Sequence, residues 1–261
     1  IEKVENSLTI DWDNNYDLIL MNPPFISWEL LNKEDREIVQ QSLGNITKKK
    51  PNLASVFIYK AVKHLKGNGI IGTVMPSSIL IMDSYRKLRE EIKEQLTLLL
   101  VGKLGSFVFE DALTDASILI GKKPKSNELP LLVWSKNEKG VINNVFRDLR
   151  KVNYNHIPYV TENKKYNIYK PIIYPDKENW KVISYQEEEL KKHLQKITAL
   201  GQLKTVQDIF NVNQGIRMGS KVFKITKTFY ESLHENEKKY FRPSVDNDAI
   251  AKGVLNIVNY V

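Results

Sequence analysis

The run Asp17-Leu18-Ile19-Leu20-Met21-Asn22-Pro23-Pro24-Phe25 decides the reading of this chain. A short apolar stretch follows turn-rich residues Asp11 to Asn15 and is stopped by two consecutive prolines. Proline has no backbone N–H to give to a sheet ladder, so a strand must end there. The apolar character of Asp17 to Met21 predicts a strand buried on both faces, as in a helix-covered parallel sheet. Downstream, apolar residues at 53, 57, 58, 61, 62 and 65 have the spacing of an amphipathic helix over Leu53 to Leu65. Gly67-Asn68-Gly69 reads as the end of that helix. Ile70 to Met75 reads as a second buried strand, closed by Pro76, and Ser84 to Glu94 as a charged helix. Leu96 to Val101 and Ala116 to Gly121 are two further strands. About fourteen residues, Gly102 to Asp115, separate them without a helical pattern, so antiparallel pairing is expected. The alternation of strand and helix predicts an α/β fold with a mostly parallel sheet.

The pattern changes after Lys122. Leu131 to Trp134 and Val141 to Phe146 flank Asn137 to Gly140 and suggest a hairpin. Residues 150–180 are polar, interrupted by Pro158, Pro171 and Pro175, and read as an irregular connection. Glu187 to Leu200 is a helix ended by Gly201, and Val222 to Ile225 a strand of a new unit.

Composition removes several classes of function. The 261 residues contain no cysteine, which excludes disulfides, thiol nucleophiles and cysteine-held metals. His64, His156, His193 and His234 lack metal-ligand spacing, so no metal site is expected. No apolar run reaches the roughly 18 residues of a membrane helix, and a cytoplasmic protein without a membrane partner is expected. A GxGxxG pattern at 67–72 follows a helix and precedes a strand, the reverse of a dinucleotide-binding loop. The net charge is +8, and residues 122–181 alone hold 13 Lys/Arg against 6 Asp/Glu. The second half of that stretch carries Tyr154, His156, Tyr159, Tyr166, Tyr169, Tyr174 and Trp180. Basic groups meet phosphates and rings stack on bases, although a lysine surface over buried tyrosines gives the same composition.

Asn22-Pro23-Pro24-Phe25 carries the chemistry. Ligands of open α/β sheets bind beyond the carboxyl ends of strands, where this motif begins. The prolines hold the chain extended and leave carbonyls without ladder partners. Asn22 adds a side-chain carbonyl, so an NH₂ group can meet two acceptors. Phe25 offers a face to a planar ring. An amino group held this way loses conjugation with its ring and becomes a better nucleophile.

Residues 17–25 resemble the signature of S-adenosyl-methionine-dependent amino-methyltransferases. Asn52-Leu53 through Leu65, Gly67 to Pro76 with Ser77-Ser78, Leu88-Arg89-Glu90, Phe109-Glu110-Asp111 and Ala116 to Gly121 extend the likeness to adenine-specific (N6) DNA methyltransferases, in the style of type II and fused restriction–modification enzymes. Val212 to Gly219 and Phe241-Arg242-Pro243 resemble the start of their target-recognition domain. The likeness implies a partial Rossmann-like methyltransferase sheet, its carboxyl half with the last strand antiparallel, followed by a mixed α+β extension. It implies the carboxyl half of the catalytic domain over 1–149, a basic aromatic-rich connection over 150–186, and a helix with the beginning of the recognition domain over 187–261.

The same likeness implies the site. Asn22 and the Pro23 carbonyl, with Pro24 shaping the loop, would accept hydrogen bonds from the adenine amino group. Phe25 and Phe109 would stack on the flipped-out base. Asn6, Asn52 and Leu53 would line the side of S-adenosyl-methionine, and Lys164, Lys165, Lys170 and Arg217 would meet double-stranded DNA. A nuclease, fused or separate, would accompany the parent protein. Two departures stand out. No glycine-rich cofactor loop fits in the sixteen residues before Asp17, so the chain reads as a fragment, inactive by itself. Asn6 stands where the family has an acidic residue. Two alternatives keep part of this reading: the same motif acting on RNA or a protein glutamine, and a non-catalytic DNA-binding or specificity fragment.

Overall fold

A computed structural model describes residues 6–12, 16–47, 50–109, 114–151, 164–175, 179–204, 206–211, 224–245, 250–251 and 254–261. Glu110, Asp111, Tyr154, His156, Tyr159, Arg217 with the rest of Val212 to Gly219, Val222 and Phe223 lie outside them. The chain divides into two compact units, Ile1–Ile197 and Thr198–Val261.

The first unit is built on one six-stranded sheet of β1 (Tyr16–Met21), β2 (Leu65–Pro76), β3 (Thr97–Gly105), β4 (Ala116–Lys122), β5 (Leu131–Ser135) and β6 (Tyr166–Tyr169). Their order across the sheet is β1-β2-β4-β3-β5-β6. β1, β2, β3 and β5 run parallel, while β4 and β6 run against them. The expected α/β sheet with an antiparallel last strand is therefore present in β4, which slots between β2 and β3. The helices are α1 (Lys33–Leu43), α2 (Ala54–His64), α3 (Ser78–Ile81), α4 (Arg86–Gln95), α5 (Val141–Leu149) and α6 (Tyr185–Ala199).

Helices cover the two sheet faces unequally. On one face Ile19, Ile71, Met75, Val101 and Leu119 pack against α2 and α4 through Ile58, Val62, Leu88 and Ile92. A second stripe of α2, through Leu53 and Val56, meets Leu31, Val39 and Leu43 around α1. On the other face Leu100, Leu131, Val133 and Ile168 pack under Val141, Ile142 and Val145 of α5. That cover does not reach β1. Leu18 is 55% exposed, Leu20 72% and Ile70 41%. The strand expected to be buried on both faces is an edge strand here, covered on the Ile19 side alone.

Three further expectations are corrected. The chain passes from α2 into β2 at Leu65, so Gly67-Asn68-Gly69 belongs to the strand and not to a helix end. There the β1–β2 register shifts, with Tyr16 opposite Leu65 but Leu18 opposite Ile70. The extra β2 residues bulge out, and a Cβ on Gly69 would lie 2.8 Å from the Tyr16 carbonyl oxygen. Val141 to Phe146 forms no hairpin strand but most of α5, entered through Gly140 at φ 82°. Its apolar residues 141, 142, 145, 146 and 149 follow helical spacing, and they cover the β3–β5–β6 face. Within 150–180, Tyr166–Tyr169 supplies the sixth strand. Tyr166 and Tyr169 are consequently core residues, buried by the sheet they help to build, and Trp180, outside the sheet, is buried with its backbone N–H donated to the Leu80 carbonyl.

The helix expected at Glu187 to Leu200 is α6, and Gly201 follows it at φ 70°. It starts with a capping box: Glu187 N–H donates to Ser184 Oγ, and Ser184 N–H donates to Glu187 Oε2. In the second unit Asn259–Tyr260 pairs antiparallel with both Ile225–Thr226 and Pro243–Ser244. Tyr230 stacks flat on Tyr260 at 3.8 Å. Among the described residues no helix is long and apolar enough to cross a membrane.

Candidate active site at the carboxyl edge of the sheet

Because β1, β2 and β3 are parallel, the segments that follow them emerge on one edge. These are Asn22–Phe25, Ser77–Met82 and Ser106–Phe109. β4 runs the other way, so Asp115 and Ala116 start on that same edge.

β1 pairs with β2 as far as Met21 opposite Thr73, and the prolines then lift the chain away. Pro23 is buried, Asn22 and Pro24 are exposed, and Phe25 is half-buried against the core. Among the described residues, no hydrogen bond engages the Asn22 side chain or the Pro23 carbonyl. Phe109, 84 positions further along, brings its ring to 6.0 Å from that of Phe25, at 85°. This is an edge-to-face contact. The turn that delivers Phe109 begins at Gly105, whose φ of 86° disfavours any side chain. Asn137 Oδ1 accepts the Ser106 N–H at 2.7 Å and holds that turn.

Neighbouring segments fix the loop. Leu53 N–H donates to the Ile26 carbonyl at 2.9 Å. Arg36 donates to the carbonyls of Trp28 and Glu29 at 3.1 and 3.0 Å. Beyond β2, Ser77 N–H donates to the Asp115 carbonyl at 2.9 Å, and the Ser77 and Ser117 hydroxyls meet at 2.7 Å. Buried Tyr85 accepts the Asn52 N–H at 2.7 Å, and buried Arg89 donates to the carbonyls of Ile79 and Met82 at 2.9 and 2.8 Å. Burial raises the Tyr85 phenol and lowers the Arg89 guanidinium relative to their ordinary pKa values.

Asn22, Pro23, Pro24, Phe25 and Phe109 are thus brought to one edge, with Asn52 and Leu53 bonded to their surroundings. The nominated cofactor residues use their acceptors locally. Asn6 Oδ1 accepts the Leu8 N–H at 3.0 Å, and Asn52 Oδ1 accepts the Ala54 N–H at 2.9 Å. Leu53 is buried among core residues. The turn containing Asn6 is tied to α2 by Lys60, whose ammonium donates to the carbonyls of Ser7, Leu8 and Ile10. The lysines separate. β6 runs antiparallel to β5, so Lys164 and Lys165 precede it on the same edge as Asn22, whereas Lys170 follows it on the opposite edge. Lys165 also pairs with Glu138 at 3.4 Å, although all three lysines are exposed. Among the described residues no cluster of three or more metal-ligating side chains occurs.

Sequence reasoning gave no role to Tyr85, Ser77 or Ser117. The usable signal was a tyrosine just before α4 and an arginine four positions later within it, among the apolar positions Leu88 and Ile92.

The arrangement defines a class: an α/β sheet with an antiparallel strand inserted before its parallel partner, and the Asn22-Pro23-Pro24-Phe25 motif at its carboxyl edge. Comparison with known proteins narrows it. Residues 1–109 match the model of the Eco57I restriction-modification methylase family. The type II methyltransferase M.AccI of Acinetobacter calcoaceticus is 30% identical over 115 residues, 42% of this chain and 21% of that protein. RM.MjaORFECS2P of Methanocaldococcus jannaschii, whose name couples a type II restriction enzyme with a methyltransferase, is 30% identical over 122 residues, 46% of this chain and 10% of that protein. The chain thus spans about a fifth and a tenth of these relatives. A type I restriction-modification methyltransferase subunit from Streptococcus thermophilus superposes with a TM-score of 0.43 at 18% identity, covering 63% of this chain and 37% of that one. The resemblance to restriction–modification methyltransferases is borne out over residues 1–109.

Proposed function

We propose that this chain is part of a site-specific DNA methyltransferase of a restriction–modification system, acting on the N6 amino group of an adenine turned out of the duplex. The observation that carries the reading is the constellation at the end of β1. The Asn22 side chain and the Pro23 carbonyl are both unengaged among the described residues, beside two phenylalanine rings in contact.

The target base must leave the helix first, because its amino group is paired inside the stack. Phe25 then receives the adenine face. Phe109 meets Phe25 edge to face at 6.0 Å, so stacking a base between the two rings requires them to part. Asn22 Oδ1 and the Pro23 carbonyl accept the two N–H bonds of the amino group. Holding both turns the nitrogen lone pair out of conjugation and toward the methyl donor. S-adenosyl-methionine would supply an electrophilic methyl group, the nitrogen forming the N–C bond while the C–S electrons pass to sulfur. The amino proton then leaves to solvent.

Asn6 Oδ1 and Asn52 Oδ1 each accept one local N–H and Leu53 packs in the core, which leaves less of these side chains for that donor. We assign this chain the amine-binding side of the reaction and the main contacts to S-adenosyl-methionine to other parts of the intact protein. The open face of β1 and β2 supports the same division, because exposed apolar edge strands are normally covered. Lys164 and Lys165, on the Asn22 edge, are the better-placed phosphate contacts. A companion or fused nuclease, and a recognition unit in the carboxyl-terminal residues, complete the reading.

The test uses the intact protein with labelled S-adenosyl-methionine and unmethylated DNA, followed by digestion and mass identification of the product. N6-methyladenine in the wild type, lost in Asn22→Ala while DNA binding persists, is expected. Full transfer by Asn22→Ala would sink the mechanism, and label in RNA or protein with clean DNA would move the substrate.

A further inference from the structure

Two buried polar side chains of one short segment reach both loops of the carboxyl edge. Tyr85 is 4% exposed and Arg89 2%. Arg89 lies in the first turn of α4 and Tyr85, four positions earlier, is the residue that caps its start, both near Leu88 and Ile92, which pack into the core. Helical residues so spaced share a face. A phenol and a guanidinium in such a place are costly unless hydrogen-bonded.

Their bonds run to different loops. Tyr85 Oη accepts the Asn52 N–H at 2.7 Å. The next amide, that of Leu53, donates to the Ile26 carbonyl at 2.9 Å, one residue beyond Phe25. The Asn52 carbonyl, coplanar with the Leu53 N–H, accepts from the Ser55 N–H at 3.1 Å and hydroxyl at 2.5 Å, so both peptide planes flanking Asn52 are held and the two amides are fixed together. Arg89 Nη1 donates to the carbonyls of Ile79, within the single turn of α3, and Met82, just past its end. Such carbonyls have no partner within their own helix. The backbone N–H of Tyr85 donates to the same Met82 carbonyl at 3.1 Å. One helix face thereby fastens the loop after β1, through two successive amides, and the loop after β2 directly.

We propose that Tyr85 and Arg89 are positioning residues that hold the Phe25–Ile26 backbone and the Ser77–Met82 turn in fixed relation across the edge. Tyr85 acts through Asn52 and Leu53, and Arg89 through the end of α3. Neither touches the adenine in the reaction proposed above. The catalytic consequence rests on that reading, whereas the mechanical coupling rests on the hydrogen bonds alone.

Tyr85→Phe in the intact protein separates the two. It keeps the ring in the core and removes only Oη. Hydrogen exchange at the Leu53 amide is expected to quicken roughly tenfold or more as its segment loosens. The methyl-transfer kcat is expected to fall roughly ten- to a hundredfold, with KM for DNA and S-adenosyl-methionine changed by no more than about twofold. Arg89→Lys, which keeps the charge and one donor, should give an intermediate kcat if it folds. Val145→Ala, in α5 on the opposite face, controls for general loss of stability and leaves kcat unchanged. Unchanged Leu53 exchange in Tyr85→Phe overturns the coupling. Faster exchange with an unchanged kcat overturns the positioning role. Should the wild type transfer no methyl group, the reaction proposed above fails, and the exchange result by itself upholds or overturns the coupling.

Discussion

Ser77 and Ser117 offer a quantitative test of how the floor of the edge is built. Their hydroxyls meet at 2.7 Å across 40 positions of sequence, and both residues are buried. The bond joins the residue just past the end of β2 to the second residue of β4. Ser77→Ala leaves the Ser117 hydroxyl without this partner, and Ser117→Ala does the reverse. An orphaned buried polar group costs about 1–3 kcal/mol, so each single variant should lose about that much. The double alanine variant leaves neither hydroxyl behind, and its loss should be no greater than that of either single. The coupling is then at least as large as a single loss, about 1–3 kcal/mol. Urea unfolding followed by tryptophan fluorescence measures it. Trp12, Trp28, Trp134 and Trp180 all lie in the unit Ile1–Ile197, which holds the pair. The midpoints should move with m unchanged. Additive single losses, within about 0.5 kcal/mol of the double, would show that the two hydroxyls do not depend on each other.

Other outcomes follow from the same geometry. The Tyr166 hydroxyl donates to Asp148 Oδ2 at 2.5 Å and, ahead of Lys151 and Arg147, holds that carboxyl below its ordinary value of 3.8. Because the folded pKa is depressed, the contribution is complete above about pH 4 and is lost as pH falls through the folded value. Acid titration of stability should therefore be shallower in Tyr166→Phe, and an identical slope would refute this. Lys60→Met removes bonds to the Ser7, Leu8 and Ile10 carbonyls and the cation facing Trp12, and should cost about 1–2 kcal/mol in urea unfolding. Lys164→Glu with Lys165→Glu should flatten the salt dependence of DNA binding by roughly one to two units of log–log slope, while Lys170→Glu leaves it unchanged. Equal effects from the two variants would show that the edge on which a lysine stands does not matter.

Local order was largely legible. The prolines after Met21 had to stop a strand, and α2 and α4 follow their apolar spacing. The short separation of β3 and β4 permits no crossover, so their antiparallel pairing could be anticipated. What misled was burial and tertiary choice. Val141, Ile142 and Val145 are β-branched and suit a strand, yet they lie at helical spacing and had a sheet face to cover. Tyr166, Tyr169 and Trp180 sit in a basic stretch that suggested base stacking, but a sixth strand drew the tyrosines into the core and Trp180 is buried in the cluster that contains Leu80. Gly67 and Gly69 looked like a helix end because a bulge within a strand uses the same residue type.

The site divides in the same way. Asn22 to Phe25 could be nominated from sequence because the proposed acceptors and ring lie in adjacent residues whose backbone is constrained by proline. Phe109 could be nominated by resemblance, but its contact with Phe25 required the sheet order, since β2 and β4 stand between their strands. The roles of Tyr85, Arg89, Ser77 and Ser117 depended on which carbonyl, amide or hydroxyl lay opposite each of them. Sequence alone determined where strands must stop, which helices are amphipathic and which residues can accept hydrogen bonds from an amine, because these are properties of the local chain. Only the tertiary structure decided which faces are covered, which lysines share the edge with Asn22 and which distant groups meet, because burial and pairing belong to the neighbours a residue acquires on folding.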